Sequence, residues 1–321
     1  MKDGFIKCAV ASAHVKVADS LFNTQTILLL MRQAEQEQVR LLVLPELVTS
    51  AYTCADLFLQ QTLQTGCLEA VAAIVEASKE CELLLVFGSA LVVEGNLYNC
   101  AVVVHKGSIL GVVPKQHLPN YQEFYEKRWF CIPEDGNREI TLLGQTTWFG
   151  TRLLFQNSEV PEFVMACEVC EDLWVPDSPS IGYALAGATV ITNCSASDEL
   201  VGKQEYRRSL VASQSAKLVC AYLYSDAGQG ESSTDLVFTP HNLIYENGVQ
   251  LGEQYGVTDA LLITEIDVQK LALERIRMQT FKSDRSAYKA ISFSWKVAAC
   301  TLTRFIDKAP FVPSDETNRS E

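Results

Sequence analysis

The sequence predicts an α/β protein, a four-layer αββα sandwich in which two mixed sheets lie face to face with helices outside. Three observations predict it. Strand-like apolar runs alternate with segments of helical periodicity; strands outnumber helices, which recur singly between them; and a two-residue hairpin turn implies antiparallel as well as parallel pairing.

Phe5 to Ala13 reads as a strand. Asp19 to Gln38 carries Leu21, Ile27, Leu28, Met31 and Ala34 at helical spacing, and Arg40 to Leu44 is an apolar run ending at Pro45-Glu46, so the chain opens in a βαβ-like manner. A second helix is expected over Leu57 to Cys81, with a break near Gly66, and then a strand over Leu83 to Leu91. Leu97 to His105 and Ser108 to Val113 flank Lys106-Gly107, the hairpin turn. Further strands are expected at Thr147 to Phe155, Phe163 to Glu168, Thr189 to Cys194, Lys217 to Tyr224 and Ala260 to Ile266. Two or three short ones fall at Asp235 to Phe238, Asn242 to Glu246 and Val249 to Glu253. Helices are expected near Ser178 to Ala186, Lys203 to Ala216 and Val268 to Met278. From Phe281 the pattern loosens into a polar, proline-punctuated end, so we expect one domain over 1–300 and the start of a linker over 301–321.

Composition narrows the function. The chain has 321 residues, 48% hydrophobic and 20% charged, enough apolar material for a sizeable core. Its net charge of -13 argues against nucleic acid or anionic lipid as a partner. No apolar stretch reaches the roughly 20 residues that a bilayer demands, and the N-terminus lacks the apolar segment of a secretory signal, so a cytoplasmic location is expected. Eleven cysteines, an odd number in a long chain, argue against a disulfide scaffold; Cys8, Cys100, Cys194, Cys220 and Cys300 fall in apolar strand-like runs where a thiol acts as a small hydrophobe.

Three ionisable residues stand at the ends of expected core strands, where α/β sheets build their sites: Glu46 after Pro45, Lys115 after Pro114, and Cys170 after the strand Phe163 to Glu168. A thiol on a strand-to-helix turn resembles a nucleophile elbow, with the next backbone N–H aimed at the attacked oxygen, and suits acyl transfer. Asp172 and Glu171 beside it would raise the thiol pKa, so a base and a compensating cation are needed, and Glu46 and Lys115 are the candidates. The bland alternatives are a buried thiol and two solvated loop charges.

The three motifs, Pro-Glu-Leu, then Pro-Lys-Gln-His-Leu-Pro, then Cys-Glu-Asp-Leu-Trp, occur in this order with their key residues 69 and 55 residues apart. The pattern resembles the carbon–nitrogen hydrolase (nitrilase) superfamily. More narrowly, LPNYQEFYEKRWF, CEDLWVPDSPS, NCSASDELVGKQEYRR and the closing PFVPSDE are similar to the N-terminal glutaminase domains of glutamine-dependent NAD synthetases.

That resemblance implies Glu46 as general base, Lys115 as electrostatic stabiliser and Cys170 as nucleophile, with Glu126 supporting the lysine. It also implies that Tyr121, Phe124, Glu171, Ser197 and Lys203 line the pocket for the amino-acid end of glutamine. Lys203 stands where some relatives have arginine, and Cys194 replaces the more usual leucine of an Asn-Leu-Ser motif. The implied activity is release of ammonia from glutamine through a cysteine thioester, for the amidation step of NAD synthesis. The implied partners are glutamine and a C-terminal synthetase domain, in a homo-oligomer. No cofactor or metal is implied here. ATP and Mg²⁺ belong to the synthetase domain, whose Ser-Gly-Gly-x-Asp-Ser loop is absent from this sequence.

Rival readings are a free-standing amidase of the same superfamily, a non-catalytic scaffold module, a redox or zinc site built on the Cys167-x-x-Cys170 pair, and a Cys-His site using His117. No second CxxC follows, the four histidines are scattered, and His117 reads as a satisfied polar loop residue.

Overall fold

In the computed structural model, residues 4–306 are described, except 283, 297 and 298. The elements run β1 (Phe5–Val10), α1 (Ser20–Gln36), β2 (Leu41–Val43), α2 (Gln61–Ala77), β3 (Leu84–Val93), β4 (Asn96–His105), β5 (Ser108–Pro114), β6 (Asn137–Leu142), β7 (Gln145–Gly150), β8 (Leu153–Asn157), β9 (Val164–Val169) and α3 (Pro179–Leu185). They continue as β10 (Val190–Ser195), α4 (Lys203–Leu218), β11 (Ala221–Asp226), β12 (His241–Glu246), β13 (Val249–Tyr255), β14 (Leu262–Asp267), α5 (Val268–Arg277) and β15 (Lys289–Phe293).

Two mixed sheets form, as expected. The first has the order β14-β1-β2-β3-β4-β5-β7-β6 and the second β13-β12-β11-β10-β9-β8-β15. Both are parallel at the centre, through β1/β2/β3 and β9/β10/β11. Their central strands are buried on both faces, which is why they read as continuous apolar runs rather than alternating ones.

Strand alternation then assigns each side chain to a layer. From β3, Leu84 and Val86 enter the core between the sheets, where they join Met165, Cys167, Val169 and Leu223. Leu85 and Phe87 face the other way, into a layer with Ile27, Leu30 and Met31 of α1 and Val71 and Ile74 of α2. On the second sheet, Ala166, Ile191 and Tyr222 pack against Tyr183 of α3 and Val211 of α4. The αββα order follows from these three apolar layers. Asp19 caps α1 by accepting the Phe22 N–H at 3.0 Å, and Asp267 does the same for Lys270 at the start of α5.

Several expectations are corrected. Thr147 to Phe155 is two strands in different sheets, β7 and β8, because the chain crosses the sandwich at Thr151-Arg152. Helix α2 runs unbroken through Gly66, whose missing side chain leaves room for Ser20 of α1; a Cβ there would sit 3.0 Å from the Ser20 hydroxyl. The strand expected at Lys217 to Tyr224 begins only at Ala221, after α4 has run on to Leu218. Asp235 to Phe238 is loop, and Cys300 lies in irregular chain. Edge strands β6 and β15 had no apolar signal, since an edge needs only one covered face. Thr303 and Arg304 are tied to β12 and β14. The Thr303 and Arg304 N–H groups donate to Glu265, and the Arg304 guanidinium forks onto Glu246 at 2.9 and 3.1 Å. The closing PFVPSDE segment lies outside the described residues. All eleven cysteines are free thiols. Among the described residues no helix is long and apolar enough to cross a membrane.

Candidate active site

Glu46 and Lys115 emerge at the ends of β2 and β5 in the first sheet, and Cys170 at the end of β9 in the second. Lys115 is wholly buried. Its ammonium donates to Glu46 Oε1 at 2.7 Å and to Glu126 Oε1 at 2.7 Å. Asn99 Nδ2 donates to the same Glu46 oxygen at 2.6 Å, and the Tyr52 hydroxyl to Glu126 Oε1 at 2.8 Å. Glu46 Oε2 and Glu126 Oε2 are buried without a partner.

Two backbone features set this geometry. The Glu46 loop is drawn across to the second sheet by its own N–H, which donates to the Ser195 carbonyl at 3.2 Å. Gly88 of β3 lies beneath that loop so tightly that a Cβ would fall 2.1 Å from the Leu47 nitrogen and 2.5 Å from the Glu46 Cα; only glycine fits. Cys170 itself has φ +41°, in the left-handed region, the strained turn expected of an elbow. Its N–H donates to Asn193 Oδ1 at 3.0 Å.

The electrostatics follow from burial. Burial pushes the Cys170 thiol well above its ordinary range, the Glu46 charge raises it further, and Lys115 opposes both. The resting sulfur is therefore a thiol, and it needs a base at the moment of attack. Burial works to lower Lys115, but Glu126 and Glu46 outweigh it and hold the ammonium well above the usual lysine range, so it stays charged. Glu126 is pushed up to about 7 by burial, against the pull of Lys115. A thiol within electrostatic reach of a carboxylate with a free oxygen and of a fixed ammonium has the parts for nucleophilic acyl transfer.

The family comparison agrees with this chemistry. The carbon–nitrogen hydrolase family model matches residues 7–273. The chain belongs to the carbon–nitrogen hydrolase family. The glutamine-dependent NAD(+) synthetase of Mycobacterium tuberculosis is 38% identical over 324 residues, covering 97% of this chain and 48% of the relative. The chain spans about half the length of the curated relatives it matches first. A crystal structure of a glutamine-dependent NAD(+) synthetase from Cytophaga hutchinsonii aligns at TM-score 0.71 and 26% identity, over 82% of this chain and 43% of that one. The amidase from Nesterenkonia sp. has the same fold, with TM-score 0.66 at 18% identity, over 87% of this chain and 96% of its own.

In this carbon–nitrogen hydrolase, Tyr121, Phe124, Glu171 and Lys203 are linked by side-chain contacts. The Tyr121 hydroxyl donates to Glu171 at 2.9 Å, and the Tyr121 ring meets Phe124 edge-on at 6.0 Å. Lys203 lies over the rings of Trp174 and Phe124, at 5.3 and 6.0 Å, with its ammonium on Asp198. Ser197 is held by its N–H on Asp226 Oδ1 at 2.8 Å, while its buried hydroxyl has no partner. Buried Arg207 bridges Asp226 and Glu199 and so ties down the loop that carries Ser197.

The rival motifs dissolve. Cys167 is a free thiol inside the core between the sheets, pushed up to about 12 by burial. His117 is satisfied by Asp172, to which its N–H and Nδ1 both lie at 2.9 Å. Asp172 also accepts the N–H groups of Gln116 and Val169, so it acts as a loop staple; the carboxylate that raises the thiol is Glu46. Tyr52, Asn99 and Asn193 were not anticipated. The latter two carried a signal, a polar residue inside an apolar strand run (LYNCAVVV and VITNCS), where burial demands a specific partner.

Proposed function

We propose that this chain is a glutamine amidohydrolase that supplies ammonia for the amidation step of NAD synthesis. The observation that carries the proposal is the wholly buried Lys115 held between Glu46 and Glu126 beside the Cys170 elbow. The relatives named as glutamine-dependent NAD(+) synthetases support the choice of glutamine.

In this mechanism Glu46 takes the Cys170 proton as the sulfur attacks the side-chain amide carbon of glutamine. The oxyanion is stabilised by the Lys115 ammonium and the Glu171 N–H, each worth on the order of 3–4 kcal/mol. Collapse breaks the C–N bond, Glu46 returns its proton to the departing ammonia, and a γ-glutamyl thioester remains. Glu46 then activates water, which cleaves the thioester and releases glutamate and the free thiol. Glu126 keeps Lys115 in place. Tyr121, Phe124, Glu171, Ser197 and Lys203 line the glutamine pocket in this reading, and the unpartnered Ser197 hydroxyl is free to meet the substrate.

The ammonia passes to a synthetase part, where ATP and Mg²⁺ act. Eleven unpaired thiols favour a reducing compartment, the cytoplasm. A homo-oligomer belongs to this reading, and a monomer mass by light scattering would refute that point.

The test is incubation with glutamine and with an electrophilic glutamine analogue. Ammonia release that disappears in Cys170→Ala, together with covalent addition at Cys170, is the expected result. Labelling of a different cysteine overturns the assignment.

A further inference from the structure

The second sheet carries a buried carboxylate that the mechanism above does not use. Glu168 on β9 is wholly buried, two residues before the nucleophile, and lies on the helix side of the sheet. Its Oε2 accepts the Ser178 hydroxyl at 2.9 Å and the Ser180 N–H at 3.0 Å. Its Oε1 accepts the Tyr222 hydroxyl. Tyr222 in turn accepts from Asn193 Nδ2 at 3.1 Å, and Asn193 Oδ1 accepts the Cys170 N–H. These hydrogen bonds form one unbroken file from a carboxylate to the strained backbone of the elbow.

We propose that Glu168 is a positioning residue for Cys170, fixing through Tyr222 and Asn193 which end of the Asn193 amide meets the Cys170 N–H. This rests on the reading of Cys170 as nucleophile. The reasoning is one of donor and acceptor polarity. An ionised carboxylate can only accept, so Tyr222 must give it the phenol proton. Burial and the Glu168 charge hold that phenol well above its usual range, so the proton is there to give. With its proton committed, the Tyr222 oxygen is left to accept from the Asn193 NH₂, which turns the Asn193 carbonyl toward Cys170. Cys170 sits at φ +41°, a backbone that persists only when its surroundings over-determine it, and this acceptor is the side-chain bond its N–H makes. The same file therefore sets the direction of the sulfur and of the Glu171 N–H that follows it.

The polarity can be reversed on purpose. In Glu168→Gln, Ser178 and Ser180 keep the amide oxygen, so the NH₂ faces Tyr222 and presses the Asn193 amide to turn its own NH₂ against the Cys170 N–H. In Asn193→Asp, two carboxylates compete for one phenol proton. In the double variant the new amide at position 168 donates to Tyr222, and Tyr222 donates to the new carboxylate at position 193, which accepts the Cys170 N–H. The file runs backwards, but its last bond is restored.

The test uses the 321-residue chain at a pH of about 8.5, where Glu168 is ionised. It measures saturable labelling by an electrophilic glutamine analogue and hydrogen exchange of the Cys170 amide. In each single variant we expect the limiting labelling rate to fall about tenfold or more with the half-saturating concentration nearly unchanged, and the Cys170 amide to exchange faster. The double variant should recover most of both. Tyr222→Phe, which removes one oxygen and no charge, should lose labelling rate in the same way and carries the test if a single charge variant does not fold. Single variants that label at the wild-type rate, or a double variant no better than the worse single, overturn the proposal. A wild-type chain that is not labelled at Cys170 overturns the glutaminase reading instead, and the exchange of the Cys170 amide then decides the positioning role by itself.

Discussion

Glu46 Oε1 and the Lys115 ammonium lie 2.7 Å apart, with neither side chain reaching solvent. An ion pair so placed is costly to form and costlier to break, because removing one partner leaves the other charge buried without compensation. Lys115→Met should therefore destabilise the fold by about 3–5 kcal/mol in a denaturant titration and reduce ammonia release by at least about a hundredfold. A variant with wild-type turnover would remove the ammonium from the oxyanion site.

Glu46→Gln separates acidity from catalysis. The Glu46 charge raises the Cys170 thiol and Lys115 lowers it, so losing the charge lets the thiol ionise at lower pH. The pH at which iodoacetamide alkylation of Cys170 sets in should fall, while glutamine hydrolysis near neutral pH stops. Glutamine hydrolysis that persists in this variant would remove the carboxylate as the base beside that sulfur.

Gly88→Ala forces a methyl group into the backbone at Glu46 and Leu47, neither of which can give way as a flexible side chain would. A cost of about 1–3 kcal/mol is expected, with a fall in kcat larger than any change in KM, since the shift displaces the base rather than the pocket. Unaltered kcat would mean that the loop tolerates the displacement.

Lys203 touches Asp198 and two aromatic rings but none of Glu46, Lys115 or Cys170. Lys203→Met should raise the KM for glutamine and leave kcat within about threefold. An equal fall in kcat and kcat/KM would assign the residue to the transition state instead.

Stability should depend on pH through Glu168. Burial pushes its carboxyl up from 4.5 to about 7, so the folded state holds a proton that the unfolded state has lost between those values. The sign follows: this group's contribution to stability is fully present below about 4.5, declines as pH rises to about 7, and is level above that. Glu168→Gln should flatten that part of the curve. A slope unchanged by the substitution would place the titration elsewhere.

The fold and the three central residues were legible in the sequence because both depend on local pattern. Doubly buried strands read as apolar runs, and Glu46, Lys115 and Cys170 each follow such a run directly. What escaped notice depends on contacts between distant segments. Thr147 to Phe155 reads as one strand since both halves are apolar, and only the second sheet's position shows that the chain changes layer within it. Gly66 reads as a break, although its role is contact with Ser20 on another helix. Tyr52 gives no periodic signal, because its function is a single hydroxyl bond to Glu126 across 74 residues of chain.

The acid and the amine ride on one sheet and the thiol on the other, joined at this point by the Glu46 N–H on Ser195. In the proposed mechanism, turnover is therefore a readout of how the two halves of the sandwich are stacked. A slip of one slab over the other by a fraction of a residue would leave every strand intact and still silence the chemistry, so gentle warming should extinguish turnover before any loss of regular structure is visible by circular dichroism.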